Sequence, residues 1–428
     1  MGSLKYFIYI SALTYLFTLV AAVDPTTKCE NSESSINSNE QRALYNIIVN
    51  SVENKNSQLG WLNNCHNRNI GISTESIRSV KDTNYVKDFS VNGFYGYSGW
   101  FTEDMATITI KNKDGTLVVE KDGIMKINYV VPRTIQPNPE PGLDRIDQAK
   151  VTLDKKFAFP DSAGQGVNVF ILDTGIRKTH KEFEGRAKSG GHFCDGCKSD
   201  DDGDGHGTQV AGIVAGKTFG VSKKSTVIAI KVLDDNGQGS VTDVISGLTS
   251  VLERHQNATN KYTVVSMSLG GPKTVALNAA VKALTDAGIH VVVAAGNDHD
   301  DACNSSPSSE LSAITVGAVD IEPTDTKTNG IAEFSNFGKC VDIFAPGVNI
   351  KSAGNANDNA TLIISGTSQA TPHVSGTIAL IIAKEGNKSP ADMAAALKSL
   401  STKNVIDFSP VAGADKHSPN NLLRVPVP

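Results

Sequence analysis

Short, almost entirely apolar segments recur along the second half of the chain and predict the strands of a parallel sheet. They cover residues 167–172, 226–233, 264–269, 290–295 and 314–319. Segments without polar alternation are typical of strands buried on both faces, and helical stretches separate these segments from one another. The apolar residues 374–383 are predicted to form a buried helix. The pattern therefore predicts an α/β fold in which helices flank a parallel central sheet.

A smaller unit of different pattern precedes this region. Strand-like segments are predicted at residues 45–49, 89–98, 117–120 and 125–131, with a short helix around 59–65, as in a small α+β domain. Residues 132–142 contain four prolines and no long apolar run, which is typical of a linker. We therefore divide the chain into an N-terminal domain at 23–135 and a larger domain at 136–428.

The first 22 residues have the composition of a signal peptide. Lys5 supplies a positive charge, residues 6–20 are mainly apolar, and Ala21 and Ala22 are small residues that suit cleavage. The apolar run is too short and too interrupted to span a bilayer, and no later segment resembles a membrane span. This predicts a secreted, extracellular protein, with the lumen of a vacuole as the alternative.

Charge and cysteine content narrow the class of protein further. The net charge of -5, without a lysine or arginine cluster, argues against nucleic-acid binding. Six cysteines in an exported chain favour disulfides. Cys194 and Cys197, with His192 nearby, form either a local disulfide or half of a zinc site. A structural zinc ion needs four ligands, so the local disulfide is preferred.

Asp173 is the first candidate for chemistry. It follows the apolar residues 169–172 and precedes Thr174 and Gly175, which places it at the carboxyl end of a buried strand. A turn or helix-capping role is the ordinary alternative. Asp-Thr-Gly also occurs in aspartic proteases, but these need a second such motif, and this chain has none.

His206 lies between Gly205 and Gly207, which leave its ring accessible at the start of a predicted helix. A surface histidine in an acidic loop is the alternative. Asp200, Asp202 and Asp204 also match the first half of an EF-hand calcium loop. The twelfth position of such a loop needs a glutamate, and this chain has Ala211 there, which excludes that interpretation.

Ser368 lies in the segment Ser-Gly-Thr-Ser-Gln-Ala-Thr-Pro at 365–372. Because proline is tolerated in the first turn of a helix, Pro372 predicts a helix that starts near Ser368. The positive end of that helix would favour developing negative charge, although serine is also a common helix cap. The Gly-x-Ser-x-Gly elbow of α/β-hydrolases is absent from this segment.

These three motifs occur in the order Asp, His, Ser, which is the chain order of subtilisin. Residues from about 143 to 383 resemble the subtilisin-like serine proteases, in particular the proteinase K and cerevisin branch. The resemblance implies a serine endopeptidase with Asp173, His206 and Ser368 as its catalytic triad. It also implies that Asn297 lies in the oxyanion hole.

The same resemblance implies which segments bind protein and peptide substrates. Ser268, Leu269 and Gly270 form one predicted substrate-binding segment, and Gly237 and Gly239 belong to the other. Main-chain pairing with a peptide needs exposed backbone, which glycine permits. No charged side chain falls in these segments, so a broad, apolar P1 preference is expected.

The N-terminal domain resembles the inhibitor prodomain of this family through residues 94–101 and 126–132. This likeness implies a monomeric zymogen that cuts itself between 133 and 138 and is inhibited by its own prodomain. The alternative is a binding protein that cuts itself once, is otherwise inactive and retains its prodomain. Gln369 favours that alternative weakly, since the family usually has Met there. Gln209, where the family usually has His, is interpreted as a packing residue.

The remaining implications of the resemblance concern disulfides and metal. Cys303 and Cys340 match a disulfide of the cerevisin-like branch, which leaves Cys29 to pair with Cys65. Asp342, with the carbonyl groups of Leu311 and Ala313, matches a calcium site of proteinase K. No cofactor is required by the implied reaction, so a structural calcium ion is the one metal to consider.

Overall fold

The structure, a computed structural model, describes residues 43–68, 86–127, 140–150, 153–321 and 329–426. The chain divides into two compact units, residues 1–41 with 57–80 and residues 42–56 with 81–428. The described part of the first unit is 57–68, which belongs to helix α1 (Val52–Arg68). The signal peptide, the cut at 133–138 and the Cys29–Cys65 pair lie outside the described atoms. The following description concerns the second unit.

An antiparallel sheet of four strands forms from the N-terminal domain. Its strands are β1 (Ala43–Val49), β2 (Val86–Val91), β3 (Phe94–Phe101) and β4 (Thr116–Lys121), in the order β2-β3-β1-β4. Asn92 and Gly93 join β2 to β3 with φ of 33° and 85°, as expected for a tight hairpin turn. A π-type turn (Met105–Ile110) precedes β4, and a separate strand, β5 (Ile124–Ile127), follows it.

The larger domain contains the remaining elements. Its strands are β6 (Asn168–Asp173), β7 (Ala187–His192), β8 (Thr226–Lys231), β9 (Gln238–Ser240), β10 (Thr263–Met267), β11 (Leu269–Pro272), β12 (His290–Ala294), β13 (Ser305–Ser306), β14 (Ile314–Asp320), β15 (Asn329–Ile331), β16 (Ile343–Pro346), β17 (Ile350–Ala353), β18 (Thr361–Ile364), β19 (Thr402–Lys403), β20 (Ile406–Asp407) and β21 (Asn421–Leu422). Its helices are α2 (Pro141–Ile146), α3 (His206–Ala215), α4 (Val241–Asn257), α5 (Val275–Asp286), α6 (Thr367–Glu385) and α7 (Pro390–Leu400).

A central sheet runs through this domain in the order β19-β21-β16-β14-β12-β10-β6-β8-β7, and its strands from β16 to β7 are all parallel. The five predicted apolar segments are confirmed as β6, β8, β10, β12 and β14. Alternate side chains of β6 face opposite ways. Val169 and Ile171 pack with α3 and α6, whereas Phe170 and Leu172 pack with α4 and α5. Both faces are therefore covered, as the uninterrupted apolar pattern predicts, and the predicted helix at 374–383 lies within α6.

Two smaller sheets complete the fold. Strands β17 and β18 form an antiparallel hairpin, and β13, β11, β5 and β9 form a sheet in that order. The second of these sheets lies at the candidate site described below. Among the described helices, none is long and apolar enough to cross a membrane.

Candidate active site

The parallel sheet brings Asp173 and His206 into contact at the carboxyl ends of its strands. Asp173 ends β6 and His206 begins α3, and both are at most 1% exposed. His206 Nδ1 lies 2.8 Å from Asp173 Oδ1 and 3.0 Å from Oδ2. Gly207 permits this approach, because a Cβ at that position would lie 2.1 Å from the Gly175 carbonyl oxygen. A carboxylate on Nδ1 fixes the imidazole tautomer whose Nε2 can accept a proton.

The acidic run before His206 anchors the start of helix α3. Asp202 Oδ1 accepts hydrogen bonds from Thr174 Oγ1 at 2.8 Å and from the Gly205 N–H at 2.8 Å. Asp202 Oδ2 accepts from the N–H and the hydroxyl of Thr208. Thr174 and Thr208 are supporting residues that sequence reasoning missed, since threonine beside a motif carries no distinctive signal.

Two opposing effects act on the pKa of His206, and the net result is a pKa above the ordinary value. Burial lowers it, but the charge and hydrogen bonds of Asp173, with the charges of Asp204 and Asp202, outweigh that effect. The neighbouring carboxylates thus stabilise the positively charged imidazolium. The imidazole must nevertheless be neutral before it can act as a base.

Ser368 is the second residue of α6 and is fully buried. Its Oγ donates to the Ser268 carbonyl at 3.1 Å, and the Ser268 hydroxyl donates to the Ser368 carbonyl at 2.7 Å. Pro372 lies inside α6, later than the first turn that the sequence predicted. It has no N–H to donate to the Ser368 carbonyl, and the Ser268 hydroxyl takes that place. The proline is therefore tolerated because Ser268, from one of the predicted substrate-binding segments, satisfies the acceptor that it leaves.

Asn297 is oriented by the residue that precedes Ser368. Its Oδ1 accepts from the N–H and from the hydroxyl of Thr367, both at 2.9 Å. Its Nδ2 is buried and has no hydrogen-bond partner among the described residues. Since α6 begins at Thr367, the Ser368 N–H belongs to the first turn, which lacks helical acceptors. Asn297 Nδ2 and the Ser368 N–H are thus the two donors that the predicted oxyanion hole would use.

Asn336 braces the segment that carries Asn297, and sequence reasoning missed it. Asn336 is fully buried, its Nδ2 donates to the Ala295 carbonyl at 3.0 Å, and its Oδ1 accepts from the Asp298 N–H at 2.9 Å. Gly296 makes room for this amide with a φ of 107°, since a Cβ there would lie 2.3 Å from Asn336 Nδ2. A single asparagine in a loop, 41 residues from Ala295, offers no local pattern that would reveal this role.

The two predicted substrate-binding segments face each other across β5. In the antiparallel register, Met125 is opposite Gly239, while Ile127 is opposite Leu269. Lys126 is opposite both Gln238 and Gly270. A segment of the N-terminal domain therefore lies as an added strand between β9 and β11.

The glycines of β9 have separate roles. A Cβ at Gly239 would lie 2.2 Å from the Val232 carbonyl oxygen, so no side chain fits there. Gly237 lies in the turn before β9 with a φ of 71°, and its N–H donates to the Asp234 carbonyl. Gly239 is thus part of the ladder with β5, whereas Gly237 shapes the turn beside it.

Two disulfides lie within the described residues. Cys194 is bonded to Cys197, which excludes a zinc site on these thiolates, and Cys303 is bonded to Cys340, as the resemblance implies. The described residues include no group of three or more His, Cys, Asp or Glu side chains that could hold a metal ion.

The carboxylate of Asp342, the charged ligand of the predicted calcium site, is engaged by protein donors. Lys398 Nζ lies 2.7 Å from Asp342 Oδ1, and the Thr315 N–H donates to Asp342 Oδ2 at 2.9 Å. Both carboxylate oxygens are thus engaged by protein donors, and a lysine ammonium group supplies the positive charge at this position.

Comparisons with known proteins agree with this fold. The family model described as the subtilase family, peptidase S8, matches residues 164–418. A cuticle-degrading serine protease of Arthrobotrys oligospora is 43% identical over 340 residues, which cover 78% of each chain. A subtilisin-like serine protease of Cochliobolus lunatus is 37% identical over 391 residues, which cover 88% of this chain and 74% of the relative.

A solved structure gives the same result. The crystal structure of a cold-adapted subtilisin-like serine proteinase matches with a TM-score of 0.61 at 38% identity, covering 68% of this chain and all of that one. The chain belongs to the subtilase family of serine peptidases.

Proposed function

We propose that this chain is a serine endopeptidase in which Ser368 is the nucleophile, His206 the general base and Asp173 the residue that orients it. The observation that carries the proposal is the buried contact between His206 Nδ1 and the Asp173 carboxylate at 2.8 Å. This contact favours the imidazole tautomer whose Nε2 can accept a proton. Ser368 lies at the positive end of α6, which favours negative charge on the reacting groups.

The proposed reaction is acyl transfer. Ser368 Oγ forms a bond to the peptide carbonyl carbon while its proton passes to His206 Nε2, and the carbonyl oxygen becomes an oxyanion. Asn297 Nδ2 and the Ser368 N–H donate to that oxyanion. The C–N bond then breaks, and His206 gives its proton to the leaving amine. Water repeats the sequence on the acyl-enzyme and releases the acid.

Substrate is proposed to bind as an extended strand between β9 and β11. The position of β5 supports this, because it shows that both segments offer main-chain groups to a third strand. Neither 237–239 nor 268–270 contains a charged side chain, which supports a broad, apolar P1 preference. Proteins and peptides are the expected substrates of this site.

The N-terminal domain is proposed to inhibit the enzyme until it is removed. In addition to the pairing of β5, the Glu120 carboxylate of β4 accepts hydrogen bonds from the N–H groups of Val275 and Ala276 at the start of α5, at 3.1 and 2.7 Å. Lys87 Nζ pairs with Asp243 at 2.9 Å at the start of α4. The Glu120 carboxylate complements the positive end of α5, and the Lys87 ammonium group complements the acidic residue Asp243 in the first turn of α4.

An apolar contact accompanies these polar ones. Ile48, Phe89 and Phe94 are buried in the same cluster as α4 and α5. Burial of apolar surface and complementary charge together support a prodomain that remains bound after the chain is cut.

We propose a secreted monomer made as a zymogen, with a signal peptide at 1–22, a prodomain at 23–135 and a catalytic domain at 136–428. The extracellular location of the product rests on the signal-peptide pattern, and a vacuolar lumen is the alternative. We also propose that no calcium ion binds at Asp342, where Lys398 supplies the charge.

A fluorophosphonate probe tests the catalytic proposal. It should label wild-type protein, and the Ser368→Ala variant should neither label nor lose its N-terminal domain. A wild-type chain that cuts itself but neither labels nor cleaves casein would instead support the self-processing binding protein. Both tryptophans, Trp61 and Trp100, precede residue 135, so loss of tryptophan emission reports removal of the prodomain.

A further inference from the structure

Two glutamines meet in the interior beside the proposed catalytic residues. Gln209 and Gln369 are both fully buried, and Gln369 Nε2 donates to Gln209 Oε1 at 3.2 Å. Each stands where the sequence departs from the usual pattern of the family. The two departures are thus in contact, and the interpretation of Gln209 as a mere packing residue omits this hydrogen bond.

The bond joins the helix of the base to the helix of the nucleophile. Gln209 lies three residues after His206 on α3, and Gln369 directly follows Ser368 on α6. Because side chains of one short helical segment move together with their backbone, the bond couples the two reacting groups mechanically.

A third element anchors the pair. Gln209 Nε2 donates to the carbonyl of Ile350 at 3.0 Å, at the start of β17. Helix α3 lies close against β17, since a Cβ at Gly212 would lie 2.2 Å from Ser352 Oγ. Gly212 is three residues beyond Gln209 and so lies on the same helix face. The polar contacts therefore run from Gln369 through Gln209 to a fixed main-chain oxygen.

Each glutamine side chain needs the other as a hydrogen-bond partner. Gln369 Oε1 is buried and has no hydrogen-bond partner among the described residues. The bond to Gln209 is then the one side-chain hydrogen bond of Gln369 within the part of the chain that the structure describes. Removing one amide leaves the other with an unsatisfied buried group, whereas removing both leaves no unpaired side-chain amide and takes one donor from the Ile350 carbonyl.

We propose that Gln209 and Gln369 are positioning residues whose amide bridge sets the approach of Ser368 Oγ to His206 Nε2. This inference rests on the proposed triad. The side-chain hydrogen bonds of the two glutamines lead to each other and to Ile350, and among the described residues none leads to β9 or β11, which bind substrate in the proposal. We therefore expect the bridge to act on kcat and to leave KM unchanged.

The test uses the full chain with Gln209→Met, Gln369→Met and the double variant. Each single variant should lower both Tm and kcat. The double variant should regain most of the Tm lost in the single variants, since no side-chain amide is left unpaired and only the Ile350 carbonyl loses a donor, yet keep a kcat lowered on the order of 10- to 100-fold at unchanged KM. A double variant with wild-type Tm and wild-type kcat overturns the proposal, because the bridge would then serve stability alone.

Two further measurements keep the outcome readable. Fluorophosphonate titration gives the concentration of active sites, from which kcat per site is calculated. In any variant that matures slowly, the rate of self-cleavage measures a single turnover. Ser266→Ala with Ser375→Ala removes another buried bond of α6, of 2.9 Å, which leads to β10. This control should leave kcat unchanged. If Ser368→Ala retains activity, the triad is wrong, an outcome distinct from failure of the bridge alone.

Discussion

Thr367 holds the side-chain amide of Asn297 by two hydrogen bonds of 2.9 Å, one from its N–H and one from its hydroxyl. Both bonds end on Oδ1, so the amide cannot present its oxygen to a reacting carbonyl without losing them. The orientation of the proposed oxyanion donor is therefore built into the residue next to the nucleophile.

Asn297→Ala should lower kcat about 100- to 1,000-fold, or roughly 2.7–4 kcal/mol, as for the equivalent donor in the relative subtilisin. KM should change little, because the donor is needed when the oxyanion forms. Steady-state hydrolysis of a peptide measures both constants. Thr367→Val, which keeps the N–H, should cause a smaller loss of kcat. An increase in KM at constant kcat for Asn297→Ala would contradict the assigned role.

Activity should fall in acid because His206 must be neutral to accept the serine proton. The pKa of His206 is raised, chiefly by carboxylates that outweigh its burial, so the protonated, inactive form persists to higher pH than for an ordinary histidine. Asp204→Asn removes one of these carboxylates. The acidic limb of kcat/KM should consequently move to lower pH.

Asp201→Asn is the matched control for that measurement. Asp201 is exposed and pairs with Lys178 at 2.6 Å, and it is not among the carboxylates that chiefly raise the pKa of His206. Its acidic limb should coincide with that of the wild type. A limb that moves to higher pH in Asp204→Asn would show that the carboxylate does not stabilise the imidazolium.

Glu120→Gln should hasten activation of the zymogen after self-cleavage. Loss of the carboxylate on the N–H groups of Val275 and Ala276 should weaken prodomain binding by about 1–2 kcal/mol, or roughly 5- to 30-fold. The lag before peptide hydrolysis begins should shorten accordingly. Glu103→Gln removes an exposed glutamate that pairs with Lys121 at 3.4 Å and should leave the lag unchanged. Equal lags in both variants would refute the proposed docking contact.

Chelation should not destabilise the protein if Lys398 supplies the positive charge at Asp342. The Tm should be the same in calcium and in a chelator such as EDTA. Lys398→Met should lower the Tm by about 1–3 °C, as expected for loss of a partly exposed ion pair. Lys388→Met, which removes a pair with Glu385 at the end of α6 at 3.4 Å, is the control and should have less effect. A fall in the Tm of the wild type on chelation would contradict this prediction and support a bound calcium ion.

Local sequence alone was enough to predict five strands of the central sheet, β6, β8, β10, β12 and β14, and the order of Asp173, His206 and Ser368. Burial on both faces leaves a continuous apolar run, and a strand end or a helix start leaves glycine and a polar residue beside it. Such signals lie within a few residues of the feature that they predict. Asn297 was accessible in the same way through its resemblance to a family segment.

Only the tertiary structure decided which distant residues complete the site. Gln209 and Gln369 are 160 residues apart, and Ser268 and Ser368 are 100 residues apart. The insertion of β5 between β9 and β11 likewise depends on how separate elements pack. These contacts arise from packing of helices against the sheet, and no pattern in either segment names its partner.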